Sequence, residues 1–180
     1  MKFDSMDLFL SLHPGFFERE SIRSLPLEDV SEEQILDLHA FSPDALSIPC
    51  PEKITFGFYQ GEMEPLHEAV RSVSKGWAQY FTPDKDIYCA FDGEKIASFC
   101  LLDDFGEYQG LRIGGPGCVG TVPAYRRQGI GLKMVQKGTA ILKERGYDLS
   151  YIHYTGVGRW YERLGYETLM FWNAAGRVKR

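Results

Sequence analysis

Between Val119 and Leu132 the chain reads VGTVPAYRRQGIGL, a strand-like run stopped by Pro123 and followed by two arginines and two glycines where a helical pattern opens. That order of residue types suits an anion. At a helix N-terminus several N–H groups lack an intrahelical acceptor and the dipole adds about half a positive charge, so the backbone itself can hold a pyrophosphate. Gly129 and Gly131 let the backbone come close, while Arg126, Arg127 and Lys133 add charge around the same turn. Two other phosphate schemes fail on these residues. A P-loop needs GK[ST] after its glycines, and that tripeptide is absent. A dinucleotide fingerprint needs a third glycine where Met134 stands and an acidic residue ending the next strand, which Asp148 instead precedes. Its turn would also follow the strand directly, whereas Pro123 to Gln128 intervene here.

The elements that must position this turn read as mixed α and β. Ser21 to Leu25 predicts a short strand, and Ser31 with Glu32 to Gln34, capped by Asp29-Val30-Ser31, predicts a helix through Ile35, Leu38 and His39. Leu66, Ala69, Val70, Val73 and Trp77 recur at helical spacing from Pro65 to Tyr80. Asp86 to Phe91 and Lys95 to Leu102 are β-rich runs separated by Asp92-Gly93-Glu94, a hairpin signal. After Gly114-Gly115-Pro116-Gly117 comes a short strand, Cys118 to Val122. From Gly129 to Gly146, Ile130, Met134, Val135, Ile141 and Leu142 share one helical face and Lys133, Lys137 and Lys143 the other. A strand from Leu149 to Thr155, a short helix from Arg159 to Leu164 closed by Gly165, and a strand from Tyr166 to Trp172 complete the order.

With 180 residues and 44% hydrophobic content, the chain is expected to form one domain with a self-supporting core. No apolar run reaches the length of about 18 residues that a membrane span needs. The N-terminal stretch, with Lys2, Asp4 and Asp7 around Leu8-Phe9-Leu10, has no cleavage site of small residues, so secretion is not expected. Cys50, Cys89, Cys100 and Cys118 are spaced by 39, 11 and 18 residues, matching neither a zinc ribbon nor a redox pair, which fits a reduced cytoplasm. Cys89 and Cys100 sit in apolar runs and read as buried small hydrophobes. His13, His39, His67 and His153 have no metal-ligand spacing, and no metal is assigned. The net charge of −5 divides sharply: residues 1–111 hold 8 basic against 21 acidic residues, residues 112–180 hold 12 against 4. An anionic ligand for the C-terminal part, mutual attraction of the halves, and nucleic acid binding are the readings of that split.

RRQGIG, Arg126 to Gly131, fits the [QR]xxGx[GA] signature of the GNAT superfamily of N-acetyltransferases, and the chain resembles that family. The resemblance extends to the strand end Thr121-Val122-Pro123, to WYERLGY, Trp160 to Tyr166, and to the element order from about Ser21 to Trp172. It implies an α/β fold with a mixed, mostly antiparallel central sheet flanked by helices and splayed between its fourth and fifth strands. Residues 1–20 fall outside it as an N-terminal extension, and residues 21–180 form the acetyltransferase domain. It also implies acetyl-CoA as cosubstrate. The pantetheine arm would lie on Val119, Gly120 and Thr121, and the pyrophosphate on the amides of Arg127, Gln128, Gly129, Ile130, Gly131 and Leu132, where the residues by themselves already suggest an anion. Tyr161 matches the tyrosine of the second signature and is the implied acid for the departing thiolate. A packed aromatic beside Trp160 and Leu164 is the alternative for it.

Two positions depart from the pattern. The Asn that often stands seven residues before this tyrosine is replaced by Tyr154. Where some members carry a glutamate base, this chain has Gly-Pro-Gly and Leu149, so the base stays open among Glu107, Asp103, Asp104, His153 and a bridging water. Glu62, Glu64 and Glu68 could attract a cationic amine or merely form a solvated face. The expected function is acetyl transfer to a primary amine of a small molecule, with no nucleic-acid or membrane partner and a homodimer left open. A noncatalytic acyl-CoA binder or sensor is the alternative.

Overall fold

The computed structural model describes residues 4–179; Lys2, with the start of the expected N-terminal extension, and Arg180 lie outside them. The helices are α1 (Ser5–Leu12), α2 (Glu20–Arg23), α3 (Met63–Arg71), α4 (Ile130–Glu144) and α5 (Gly158–Glu162). The strands are β1 (Ser31–Asp37), β2 (Ile54–Phe58), β3 (Ile87–Asp92), β4 (Lys95–Tyr108), β5 (Leu111–Thr121), β6 (Leu149–Thr155), β7 (Glu167–Asn173) and β8 (Gly176–Val178). They hydrogen-bond in the order β2-β3-β4-β5-β6-β1-β7-β8. The sheet is mostly antiparallel, the exception being β5 and β6, whose parallel ladder comprises Ile113↔Leu149 and Gly114↔Ser150. This pair corresponds to the fourth and fifth strands of the expected splay.

The described chain divides into two compact units, with the β4–β5 hairpin running through both. The first comprises the chain up to Phe41, Phe105–Gly114 and everything from Tyr147 on. Its core holds Leu8, Ile113, Leu149 and Tyr151, together with Phe9, Phe16, Met170 and Trp172. Residues from the expected extension thus pack directly in this core. The Asp4 carboxylate starts α1 by accepting from the amides of Met6 and Asp7. The second unit comprises Ser42–Asp104 and Gly115–Gly146. There α3 turns Leu66 and Val70 onto Phe81, Ile87, Cys89, Phe99 and Leu101. Each large side chain so buried contributes about 1.5–3 kcal/mol. Cys89 and Cys100 are buried thiols, and among the described residues the four cysteines form no disulfide.

Several expectations are corrected. Ser31 to Asp37 is a strand, not a helix: it pairs with β6 on one side and β7 on the other. Backbone bonding along both edges overrides the helical preference of Glu-Glu-Gln. Glu20 to Arg23 is helical where a strand was expected from Ser21. The helix expected from Pro65 to Tyr80 ends at Arg71, and a 3₁₀ segment, Lys75–Tyr80, follows. Gly114 to Gly117 lie within β5, which begins at Leu111. In that strand a side chain on Gly117 would strike the Asp103 carboxylate and one on Gly120 the Phe99 ring, so small residues admit close neighbours rather than a turn.

His13 carries a pH consequence for the first unit. Burial holds its imidazole well below the ordinary 6.5, at about 3. Between these values the unfolded chain binds a proton that the folded chain does not, so stability falls as pH falls through this window. Thermal unfolding between pH 7 and 4 should show a shallower decline in His13→Leu than in the parent, and equal slopes would remove His13 as the cause.

Candidate active site

In the second unit β5 ends at Thr121, Pro123–Tyr125 makes a single 3₁₀ turn, and α4 begins at Ile130. Arg127 and Gly129 both have positive φ, +62° and +76°, on either side of Gln128. The first α-helical bond runs from the Lys133 amide to the Gly129 carbonyl at 2.9 Å. No side chain caps Gly129, so helix geometry leaves the Ile130, Gly131 and Leu132 amides without intrahelical acceptors. The sequence-expected anion turn is therefore an uncapped helix start. Around it Arg126 Nε donates to the Thr121 carbonyl at 3.1 Å, Gln128 to the Ala124 carbonyl at 3.3 Å, and Lys133 Nζ to Gln136 Oε1 at 3.0 Å.

Behind the turn, Gln136 is buried and donates to the carbonyls of Pro43 and Leu46, both at 2.7 Å. This fastens the segment that carries Ile48 and Pro49 onto α4. A Cβ built on Gly129 would lie 2.0 Å from the Pro49 carbonyl oxygen, so the position needs glycine for its space as well as for its φ. Arg127 sits in the left-handed region without being glycine, a conformation that costs about 1–2 kcal/mol. Arg127→Gly should therefore match or slightly exceed the parent in unfolding free energy. It should weaken coenzyme A binding less than about tenfold if backbone amides hold the phosphates. Chemical denaturation and calorimetric titration measure the two quantities; a hundredfold loss of affinity would make the guanidinium the main contact.

Of the three strand residues expected to face pantetheine, Gly120 has its carbonyl on Ser98 Oγ at 2.6 Å, and the Val122 amide donates to the Ala97 carbonyl at 3.0 Å. Both thus face β4. By the two-residue alternation of a ladder, Val119 and Thr121 direct their backbone groups to the other edge.

Tyr161 belongs to the first unit. It is buried in α5, edge-on to Trp160 at 4.8 Å and to Tyr166 at 5.9 Å between ring centroids. Tyr166 is in turn pinned by a hydroxyl bond with Ser150 at 2.7 Å. Helix α5 starts close against β1: a side chain on Gly158 would meet the Glu32 carboxylate. Tyr154, in the place of the expected Asn, is exposed with φ +55°.

Among the open candidates for a base, Asp104 and Glu107 are exposed, and Asp103 is partly buried with its carboxyl pushed up by burial. His153 is the one with a built environment. Its Nδ1 lies 2.9 Å from Glu33 Oε2, and its ring stacks on His13 at 3.9 Å. Glu33 is the residue that sequence reasoning missed, since its segment reads as helix; only the pairing of β1 between β6 and β7 turns it inward. On α3 the Glu64 carboxylate is paired with Arg71 at 2.9 Å, as on a solvated face.

Residues 83–168 match the family described as "Acetyltransferase (GNAT) domain". Among solved structures the chain is similar to a GCN5-related glucosamine N-acetyltransferase region of a fungal multi-domain β-N-acetylglucosaminidase, with 22% identity and TM-score 0.66 over 78% of this chain and 20% of that one. It is also similar to a GCN5-related N-acetyltransferase from Sphaerobacter thermophilus, with 21% identity and TM-score 0.57 over 77% of this chain and 48% of that one. A third, from Kribbella flavida, has 20% identity and TM-score 0.57 over 88% of this chain and 62% of that one. The chain therefore spans less than two thirds of the length of each of these. Comparison with curated protein sequences found no match. The fold is that of the GNAT acetyltransferases. The matched residues 83–168 include both RRQGIG and WYERLGY, the motifs on which the resemblance rests. Among the described residues no helix is long and apolar enough to cross a membrane.

Proposed function

We propose that this chain transfers the acetyl group of acetyl-CoA to the primary amine of a small molecule. The observation that carries the cofactor half is the uncapped start of α4, where Arg127 and Gly129 adopt positive φ and the Ile130, Gly131 and Leu132 amides await an acceptor. The cofactor's pyrophosphate occupies the amides from Arg127 to Leu132, and its pantetheine arm runs along the outer edge of Val119 and Thr121. The amine nitrogen attacks the thioester carbon, the carbon–sulfur bond breaks, the Tyr161 hydroxyl gives its proton to the leaving thiolate, and the proton shed by the amine passes to water, from which Tyr161 regains its own. The reaction requires no metal in this reading, and the protein works in the cytoplasm.

The test has two stages. Coenzyme A should raise the unfolding temperature by mass action, by about 2.7 kcal/mol of stability at a hundredfold excess over Kd. Acetyl-CoA offered with a panel of amines, hexosamines included because one similar structure is a GCN5-related glucosamine N-acetyltransferase region, should then release thiol with at least one of them. A coenzyme A shift without turnover on any amine favours the noncatalytic binder; no shift at all overturns the cofactor site.

A further inference from the structure

Three residues far apart in the sequence meet inside the first unit. One possible ligand atom from each of His13, Glu33 and His153 lies within 4.8 Å of the other two. Separations of 20 and 120 residues follow no metal-binding spacing, so the histidines alone point to no site. The fold makes the group: β1 pairs with β6, and α1, which His13 closes, packs through Leu8 onto the same sheet.

His13 is nine-tenths buried, and its Nε2 has no hydrogen-bond partner among the described residues. A buried polar atom left so costs about 1–3 kcal/mol, which a bond to a metal ion would offset. Glu33 has no exposed surface, and its carboxylate is held in orientation. Oε1 accepts from Trp172 Nε1 at 2.6 Å and from the Tyr154 amide at 3.0 Å, and Oε2 accepts from the Tyr151 hydroxyl. Oε2 keeps one further lone pair, and His153 Nδ1 stands 2.9 Å from it. Two atoms bound to one zinc ion at about 2.0–2.2 Å lie about 3–3.5 Å apart, so this pair needs little adjustment to share one. The ion takes the place of the Nδ1 hydrogen, which moves to Nε2; the imidazole stays neutral, and the other three donors to Glu33 remain to fix the carboxylate. The His13 ring stacks on that of His153 at 3.9 Å, with 20° between the planes. A ring nitrogen binds a metal in the plane of its ring, so His13 must turn out of the stack to share the ion, and its Nε2 has no hydrogen bond to break in doing so.

We propose that His13, Glu33 and His153 bind a divalent first-row transition-metal ion, zinc being the best suited. Two imidazoles and a carboxylate are a donor set for such ions, whereas calcium and magnesium take oxygen ligands. Zinc imposes no geometry through its d electrons, and with three protein ligands its fourth position goes to solvent, which the partial exposure of His153 admits. The ion fastens the end of α1 to β1 and β6 and so stabilises the first unit. All three ligands belong to that unit, and the site is independent of where acetyl-CoA binds.

Zinc chloride titrated calorimetrically into the chelator-treated full chain should bind at one ion per chain and raise the unfolding temperature, while magnesium and calcium at the same concentration leave it unchanged. Removing a hydrogen-bonded neighbour of a metal ligand costs about 10–100-fold in affinity, so removing a ligand itself should cost at least about 10²-fold. His13→Phe keeps a ring among Phe9, Phe16 and Phe105, and should therefore retain the fold and lose the zinc. His153→Phe should lose it as well, whereas His39→Ala and His67→Ala should retain it. In the parent, zinc should move the imidazole ¹⁵N resonances of His13 and His153, a readout that needs no variant to fold. Zinc affinity weaker than about 100 μM, undiminished affinity in His13→Phe, or resonance changes confined to His39 and His67 would each overturn the site. Equal stabilisation by magnesium would overturn it too.

Discussion

Tyr161→Phe should lower kcat by about 10²-fold while leaving folding and coenzyme A affinity nearly intact. The substitution keeps the ring, and the ring supplies the structural contribution, edge-on against Trp160 and Tyr166. What it removes is one hydroxyl, which in the proposed reaction protonates the departing thiolate. An interaction made in the transition state alone appears in kcat and in kcat/KM equally, with KM unchanged. Steady-state kinetics with the best amine of the panel, beside a coenzyme A thermal shift, measure both quantities. Coenzyme A is a tolerable leaving group without help, so solvent could take over the role. A loss below about threefold with binding unchanged would return Tyr161 to packing alone.

Gly129→Asp should abolish the coenzyme A thermal shift and also lower the unfolding temperature of the unliganded protein. The two effects have separate causes. A carboxylate at a helix start accepts from the amides a phosphate would use, and its charge repels that phosphate. By itself such a cap would stabilise α4 by only about a few tenths of a kcal/mol relative to glycine. Against this stands the Pro49 carbonyl, 2.0 Å from where the new Cβ must go and held in place through Gln136, together with a φ of +76° that L residues resist. The steric cost wins, with a net loss of about 2–3 kcal/mol, or about 5–10 °C in a chain of this size. Gly129→Ala separates the two: it meets the same carbonyl without the charge, so it should lose stability yet keep part of the coenzyme A shift. An undiminished shift in Gly129→Asp would move the phosphates elsewhere.

How far the sequence could be read depended on where each element's partners lie. Helix α4 and its glycine turn were legible because the signals are local: an apolar face at helical spacing, glycines at either end, basic residues between. Strand β6 was legible from Leu149 to Thr155 because its β-formers are strong and Gly146 and Gly156 punctuate it. The mixed, mostly antiparallel sheet followed from the two signatures and the element order. Strand β1 was not legible, since Ser31 to Gln34 carry a helix-opening pattern and what makes them a strand is hydrogen bonding to residues far along the chain. With β1 misread, Glu33 could not be placed beside His153. The Pro49 carbonyl over Gly129 was invisible for the same reason, because close approach of two backbones leaves no trace in residue type beyond the glycine itself.

The position of β1 between β6 and β7 also bears on how the protein is made. Its partners lie about 110–140 residues downstream, and at ribosomal rates of about 5–20 residues per second the strand waits on the order of ten seconds before either exists. Throughout that interval a segment with two unsatisfied edges is open to pairing with the wrong chain. Glu33, which in the finished fold is enclosed by donors from Tyr151, His153, Tyr154 and Trp172, is during synthesis a charge in the middle of an exposed strand. A neighbouring nascent chain offers no such set of donors and would have to desolvate the carboxylate uncompensated. Only the strand's own partners bury that carboxylate with its hydrogen bonds made, which sets a cost on every other pairing.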